Sequence, residues 1–318
     1  MSIFKLDPAF KDYIWGGTRL RDEYGKKCDY DKVAESWELS CHKDGPSVVA
    51  DGEYKGLTLN EYIEKAGKGV LGKNCERFEN FPILIKLIDA KDNLSVQVHP
   101  DNDYAMRVEG EYGKTEMWYV VDCDEGATLL YGFKHEITKE EFARRIADNT
   151  LLEVTNAVPV KKGDVFFIKS GTLHDIGKGI LIAEIQQNSN TTYRIYDYGR
   201  VGKDGKPREL HVDKALDVTK LAPAEQYPET PVEKKDGYDI KLLSKCEYFT
   251  TYRVNVETKA ELDADENSFN SILVLEGEPV ISGGETVSAK KGESVFISAG
   301  TGKYTVEGKC TFVLTKID

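Results

Sequence analysis

Apolar runs of strand length, four to eight residues, recur along the chain between clusters of Gly, Asp and Asn. Leu94-Ser-Val-Gln-Val-His99 alternates small or polar with apolar residues, the period of a strand with one packed face. Glu116-Met-Trp-Tyr-Val-Val121, Asp164-Val-Phe-Phe-Ile168 and Leu181-Ile-Ala-Glu-Ile-Gln186 read as further strands, and Phe81 to Ile88 is an apolar run interrupted only by Lys86. Helical patterns are confined to Thr58–Ala66 and Thr138–Ala147. The second opens on Thr138 with Glu141 three residues on, a capping-box signal. The pattern predicts a mainly all-β protein with short helical insertions.

An internal repeat divides the chain. Residues 161–172 (Lys-Lys-Gly-Asp-Val-Phe-Phe-Ile-Lys-Ser-Gly-Thr) match residues 290–301 (Lys-Lys-Gly-Glu-Ser-Val-Phe-Ile-Ser-Ala-Gly-Thr) at a constant offset of 129, without a gap. Each copy predicts a turn, a strand and a second turn. Residues 220–236 contain three prolines and little periodicity, as a linker does. The expected organisation is a first β domain over 1–219, a linker over 220–236 and a second β domain over 237–318.

Composition narrows the function classes. At 318 residues the chain is long enough for two domains, and its net charge of −12 disfavours nucleic acid and anionic membrane surfaces as partners. A phosphorylated substrate then requires a local basic pocket. The six cysteines form no C-x-x-C motif and no disulfide framework is expected. The first ten residues lack a signal-peptide pattern, and no apolar run reaches membrane-spanning length. The cytoplasm is the expected location.

The chemistry concentrates in the first domain. Gln97 and His99 lie two apart and share a strand face, with Ser95 beside them, while Val96 and Val98 point into packing. Glu116 opens the next strand and His174 follows the Gly171-Thr172 turn. In a small β-barrel such residues converge on the interior. Two imidazoles, a carboxylate and an amide oxygen make an N/O donor set suited to zinc or another first-row divalent ion. Lys303 stands in the second copy where His174 stands in the first, so one ion per chain is expected. The competing reading is two separate hydrogen-bonded histidines. His42, His135 and His211 lack such company and read as surface or core residues. Trp118, Tyr119, Phe166 and Phe167 read as core.

These residues resemble the type I mannose-6-phosphate isomerases, in their short bacterial form. The resemblance rests on Leu94-Ser-Val-Gln-Val-His-Pro-Asp101, Gly113-Lys-Thr-Glu-Met-Trp-Tyr119, Gly171-Thr-Leu-His174, Glu184 to Asp197 and Pro207-Arg-Glu-Leu-His211, in the family's order. Trp15-Gly-Gly17 and Ala34-Glu-Ser-Trp37 fit it as well. It implies two cupin (jelly-roll) β-barrels, the second degenerate. It also implies a zinc ion on Gln97, His99, Glu116 and His174, and interconversion of mannose 6-phosphate and fructose 6-phosphate. The family's active-site arginine falls on Arg194. The large helical insertion of the long members has no room here.

Such a reaction moves a proton between C1 and C2 through an enediol-type intermediate, so the site must stabilise charge on the carbonyl oxygen and hold a base near the proton. Arg194 can fork toward phosphate or enediolate. Lys114, two residues before Glu116, can steer phosphate or donate to a substrate oxygen. Glu184, on an otherwise apolar strand, is expected to have a raised pKa and act as acid or base. Two other readings fit the same residues: a non-haem iron dioxygenase, since two His and a carboxylate resemble its facial triad, and a non-catalytic sugar-binding cupin. Oligomeric state is not legible.

Overall fold

The computed structural model describes residues 2–202 and 205–318. Strands dominate, and hydrogen bonding runs in four antiparallel sheets of eight, six, five and four strands. Among the described residues none of them closes on itself, so the jelly-roll architecture is realised as facing sheets rather than as hydrogen-bonded barrels.

The sheets stack in one order. The four-stranded and eight-stranded sheets bury Ala260, Ile281 and Val306 against Val254, Ile272 and Phe312. The opposite face of the eight-stranded sheet (Phe4, Leu273, Phe296, Val313) packs on one face of the six-stranded sheet through Ile85, Leu87, Met117, Tyr119 and Ile185. The other face of the six-stranded sheet meets the five-stranded sheet, with Trp118, Val120 and Ile182 against Leu129 and Tyr131. Helices Lys139–Ala147 and Val212–Val218 cover the outside through Phe142 and Ala215. Strands Ile83–Ala90 and Ile180–Gln187 are therefore buried on both faces, which is why they read as almost continuous apolar runs.

Register sets the site. Trp37, Lys86, Glu184, Trp118 and Phe166 form one cross-strand row through the six-stranded sheet. Arg194, Gln97, His174 and Tyr131 form a row in the five-stranded sheet. The polar parts of the two rows face each other.

The two repeat copies adopt the same turn–strand–turn. Gly163 and Gly292 take φ of 92° and 86°, and Gly171 and Gly300 take 84° and 77°, values that favour glycine. The intervening strands are Val165–Ile168 and Ser294–Ile297.

Three features depart from the sequence reading. Strand Ile3–Asp7, at the start of the chain, pairs with Ser294–Ile297 in the eight-stranded sheet. The proline-rich segment ends in a strand, Val232–Lys234, that pairs with Tyr238–Lys245. The complete capping box lies at Thr58 and Glu61, opening helix Leu59–Ala66. At Thr138 only half of it forms. The threonine accepts from the Glu141 N–H, but the Glu141 carboxylate is taken by Arg145 at 2.9 Å.

Candidate metal centre and active site

Glu116 enters from the six-stranded sheet, His174 from the five-stranded sheet, and His99 directly follows the strand Val96–Val98. Their ligand atoms lie within 4.8 Å of one another, and all three side chains are buried. Glu116 Oε1 is 3.5 Å from His174 Nε2, and Glu116 Oε2 is 3.6 Å from His99 Nε2. The Nδ1 atoms are committed elsewhere: His99 donates to the Thr191 carbonyl (3.0 Å) and His174 to the Thr172 carbonyl (2.8 Å). Both Nε2 lone pairs therefore face the carboxylate.

Burial drives the histidines toward neutrality. It lowers His99 well below the usual imidazole range and His174 to about 4. Burial also raises Glu116, to about 8, against the pull of Lys114. Two neutral imidazoles and a carboxylate short of positive charge fit a divalent cation. His99 Nε2 and Glu116 Oε1 have no hydrogen-bond partner, as open ligand atoms should.

Gln97 sits opposite His174, but its Nε2 faces the His174 Nε2 at 3.3 Å while its Oε1 accepts from Ser95 Oγ at 3.2 Å. A half-turn of the amide is needed to present the oxygen to a cation.

The predicted polar residues gather round this cluster. Lys114 is buried, with Nζ 3.1 Å from Glu116 Oε2. It is delivered by Gly113, where a Cβ would fall 2.4 Å from the Asp101 backbone. Glu184 receives Trp118 Nε1 (2.9 Å) and lies 3.4 Å from Lys86 Nζ. The expected raised pKa is overturned: burial alone would raise Glu184, but Lys114 and Lys86 hold it below the ordinary carboxylate range. Trp118 is core as expected and also walls the cluster, meeting the His174 ring edge-on.

A pocket beside the cluster is lined by Gln97, Lys86, Lys114, Glu184 and Arg194; Arg194 donates Nη1 to the Glu209 carbonyl (2.8 Å), and its Nε has no partner among the described residues. Arg208 lines the pocket too and binds Asp197, as does Arg200.

The sequence reading gave Lys86, Glu35 and Arg208 no role of their own, although Glu35 and Arg208 lie in motifs that carry the family resemblance. Lys86 is buried in the middle of its sheet, shared between Glu184 and Glu35, each at 3.4 Å. Its signal was present in the chain: a lone charge in an apolar run is tolerated only with partners. Arg208 comes from a loop and has no periodicity to betray it.

The molecule is thus a β protein of facing antiparallel sheets, with a buried imidazole–carboxylate–imidazole cluster that could hold a metal ion beside a pocket lined by lysines and arginines. The comparisons with known proteins specify which. A family model described as the phosphomannose isomerase type I catalytic domain matches residues 3–126, and one described as the mannose-6-phosphate isomerase cupin domain matches residues 239–317. The mannose-6-phosphate isomerase ManA of Bacillus subtilis is 39% identical, over 98% of this chain and 97% of the relative. The mannose-6-phosphate isomerase of Streptococcus mutans is 39% identical, over 89% of this chain and 88% of the relative. A crystal structure of the mannose 6-phosphate isomerase from Bacillus subtilis superposes with a TM-score of 0.93 at 38% identity, covering 99% of each chain. The chain belongs to the type I phosphomannose isomerase family. No helix among the described residues is long and apolar enough to cross a membrane.

Proposed function

We propose that this chain interconverts mannose 6-phosphate and fructose 6-phosphate at the pocket lined by Gln97, Lys86, Lys114, Glu184 and Arg194, with His99, Glu116 and His174 buried beside it. The observation that carries this reading is the pairing of the buried His/Glu/His cluster with a second buried carboxylate, Glu184, which lies 3.4 Å from Lys86 in a pocket that Lys114 also lines. Family membership supports it over iron–oxygen chemistry or passive sugar binding.

A divalent cation on His99, Glu116, His174 and Gln97 would supply positive charge to polarise a sugar oxygen. The N/O donor set favours zinc, one per chain, since Lys303 replaces His174 in the second copy. In the open-chain aldose, Glu184 takes the proton from C2 and returns it to C1, while the hydroxyl proton on O2 is passed to O1. Glu184 begins as a carboxylate, so its first act is as base. As charge develops on the enediol oxygens, Lys114 and Lys86, which line the pocket, supply positive charge to offset it. Arg200 and Arg208 pair with Asp197, and Arg194 lies close enough to feel both arginines, a cationic group suited to a phosphate dianion. Arg194 and Arg208, which reach the pocket, are the residues proposed to hold it.

The six cysteines are free, which supports a cytoplasmic address. The partner is a phosphorylated hexose. An assay coupled to fructose 6-phosphate formation, run with zinc and with chelator, tests the reading. Turnover that chelator removes and zinc restores is expected; no turnover with the metal fully loaded overturns it.

A further inference from the structure

Outside the pocket, one carboxylate collects four bonds from two segments far apart in the chain. Glu111 accepts from Ser189 Oγ (3.2 Å), the Asn190 N–H (3.0 Å) and Thr191 Oγ1 (2.9 Å), and its other oxygen meets His42 Nε2 at 3.0 Å. Asn190 Nδ2 makes one more tie from the same segment, donating to Asp44 Oδ2 at 2.9 Å. The strapped segment matters because of what it does inward. The Thr191 carbonyl is the acceptor for His99 Nδ1, and its neighbours Asn190 and Thr192 line the pocket.

We infer that Glu111 is a positioning residue: it pins Ser189–Thr191 so that the Thr191 carbonyl fixes the ring orientation and Nδ1–H tautomer of His99, leaving Nε2 aimed at the cation. Glu111 itself is neither in the cluster nor among the residues lining the pocket, and it reaches His99 through Thr191. Burial alone would raise its pKa, but the bonds from His42, Asn190 and Thr191 bring it down to about 2, and it remains a full anion across the working range of an enzyme. Such outer-shell acceptors tune metal affinity because they orient the ligand and raise its basicity. His42, which the sequence left without a role, is the donor that completes the tie.

The inference rests on the metal reading proposed above, and the test separates the two. Wild-type protein and the variants Glu111→Ala, Glu111→Gln, Thr191→Val and Thr191→Ser are loaded with cobalt(II). The visible ligand-field band is recorded, and retention is measured by competition with a chromophoric chelator. Glu111→Ala is expected to weaken retention about 10- to 100-fold and to shift the cobalt band. Thr191→Val, which removes a single bond, should move both readouts in the same direction, and Thr191→Ser, which keeps the hydroxyl, should restore them. If Thr191→Val and the Glu111 variants that fold retain cobalt within twofold of wild type with an unshifted band, the assignment is overturned. A wild-type protein that binds no cobalt or zinc overturns the metal reading and this assignment with it.

Discussion

Lys114 Nζ lies 3.1 Å from Glu116 Oε2, with both side chains out of solvent. The ammonium stands beside the carboxylate that a cation would also use, so the two positive charges share one negative partner. Replacing Lys114 by Met removes the charge that opposes burial at Glu116, so in chelated protein Glu116 should hold its proton to higher pH. Proton release on zinc binding, followed with a pH indicator near pH 8, should therefore be larger for the variant than for wild type. Turnover of the zinc-loaded variant should fall by about 100-fold or more, the scale for losing a donor to a developing oxyanion.

His99→Ala and Gln97→Ala should separate in metal retention. His99 offers an open Nε2, whereas the Gln97 amide must first turn its oxygen away from Ser95. Retention measured against a chelator should fall further for His99→Ala, and equal losses would make Gln97 a full ligand. For wild-type protein, zinc at roughly 1,000 times its dissociation constant should add about 4 kcal/mol to stability.

Acid should weaken the metal-free fold through His174. Its pKa is depressed to about 4, so between ~6.5 and 4 the unfolded chain binds a proton that the folded chain refuses. The contribution is present above the unfolded value and is lost as pH falls through 4, about 3 kcal/mol in all. Glu116, raised to about 8, works in the opposite sense, because its folded form takes a proton first. Comparing chelated wild type with His174→Asn by urea titration isolates the histidine: the variant should lose less stability between pH 6.5 and 4.

Arg208→Ala should act on substrate affinity. The side chain reaches the pocket but belongs to the cationic group around Asp197 rather than to the Lys86–Glu184–Lys114 group. Steady-state kinetics should show KM for mannose 6-phosphate raised about 10- to 100-fold, the worth of one charge-assisted hydrogen bond, with kcat nearly unchanged. A loss confined to kcat would place Arg208 in the chemistry instead.

Much of this site was legible because strands translate spacing into direction. The i, i+2 relation of Gln97 to His99, the strand start at Glu116 and the turn before His174 brought the cluster into view. What escaped depended on register between strands. Lys86 faces Glu184 only because strand Ile83–Ala90 pairs with Ile180–Gln187 at one particular offset, which no local pattern reveals. The same gap explains the reversed pKa of Glu184: a glutamate on an apolar strand suggests an unpaired buried acid, and the lysines that reverse its shift come from other segments. At the level of the fold, the repeat exposed both turn–strand–turn units. The pairing of Ile3–Asp7 with Ser294–Ile297 joins opposite ends of the chain and leaves no trace in the periodicity of either.

That pairing also bears on how the protein is made. Synthesis releases Ile3–Asp7 long before its hydrogen-bonding partner Ser294–Ile297, beside which Ser2 and Ser298 exchange further bonds. The nascent chain must therefore carry an apolar segment, Ile3, Phe4 and Leu6, unpaired until that partner has been made. Completing the eight-stranded sheet then has a long loop to close, and any chain that stalls before residue 294 presents an open strand edge to other chains.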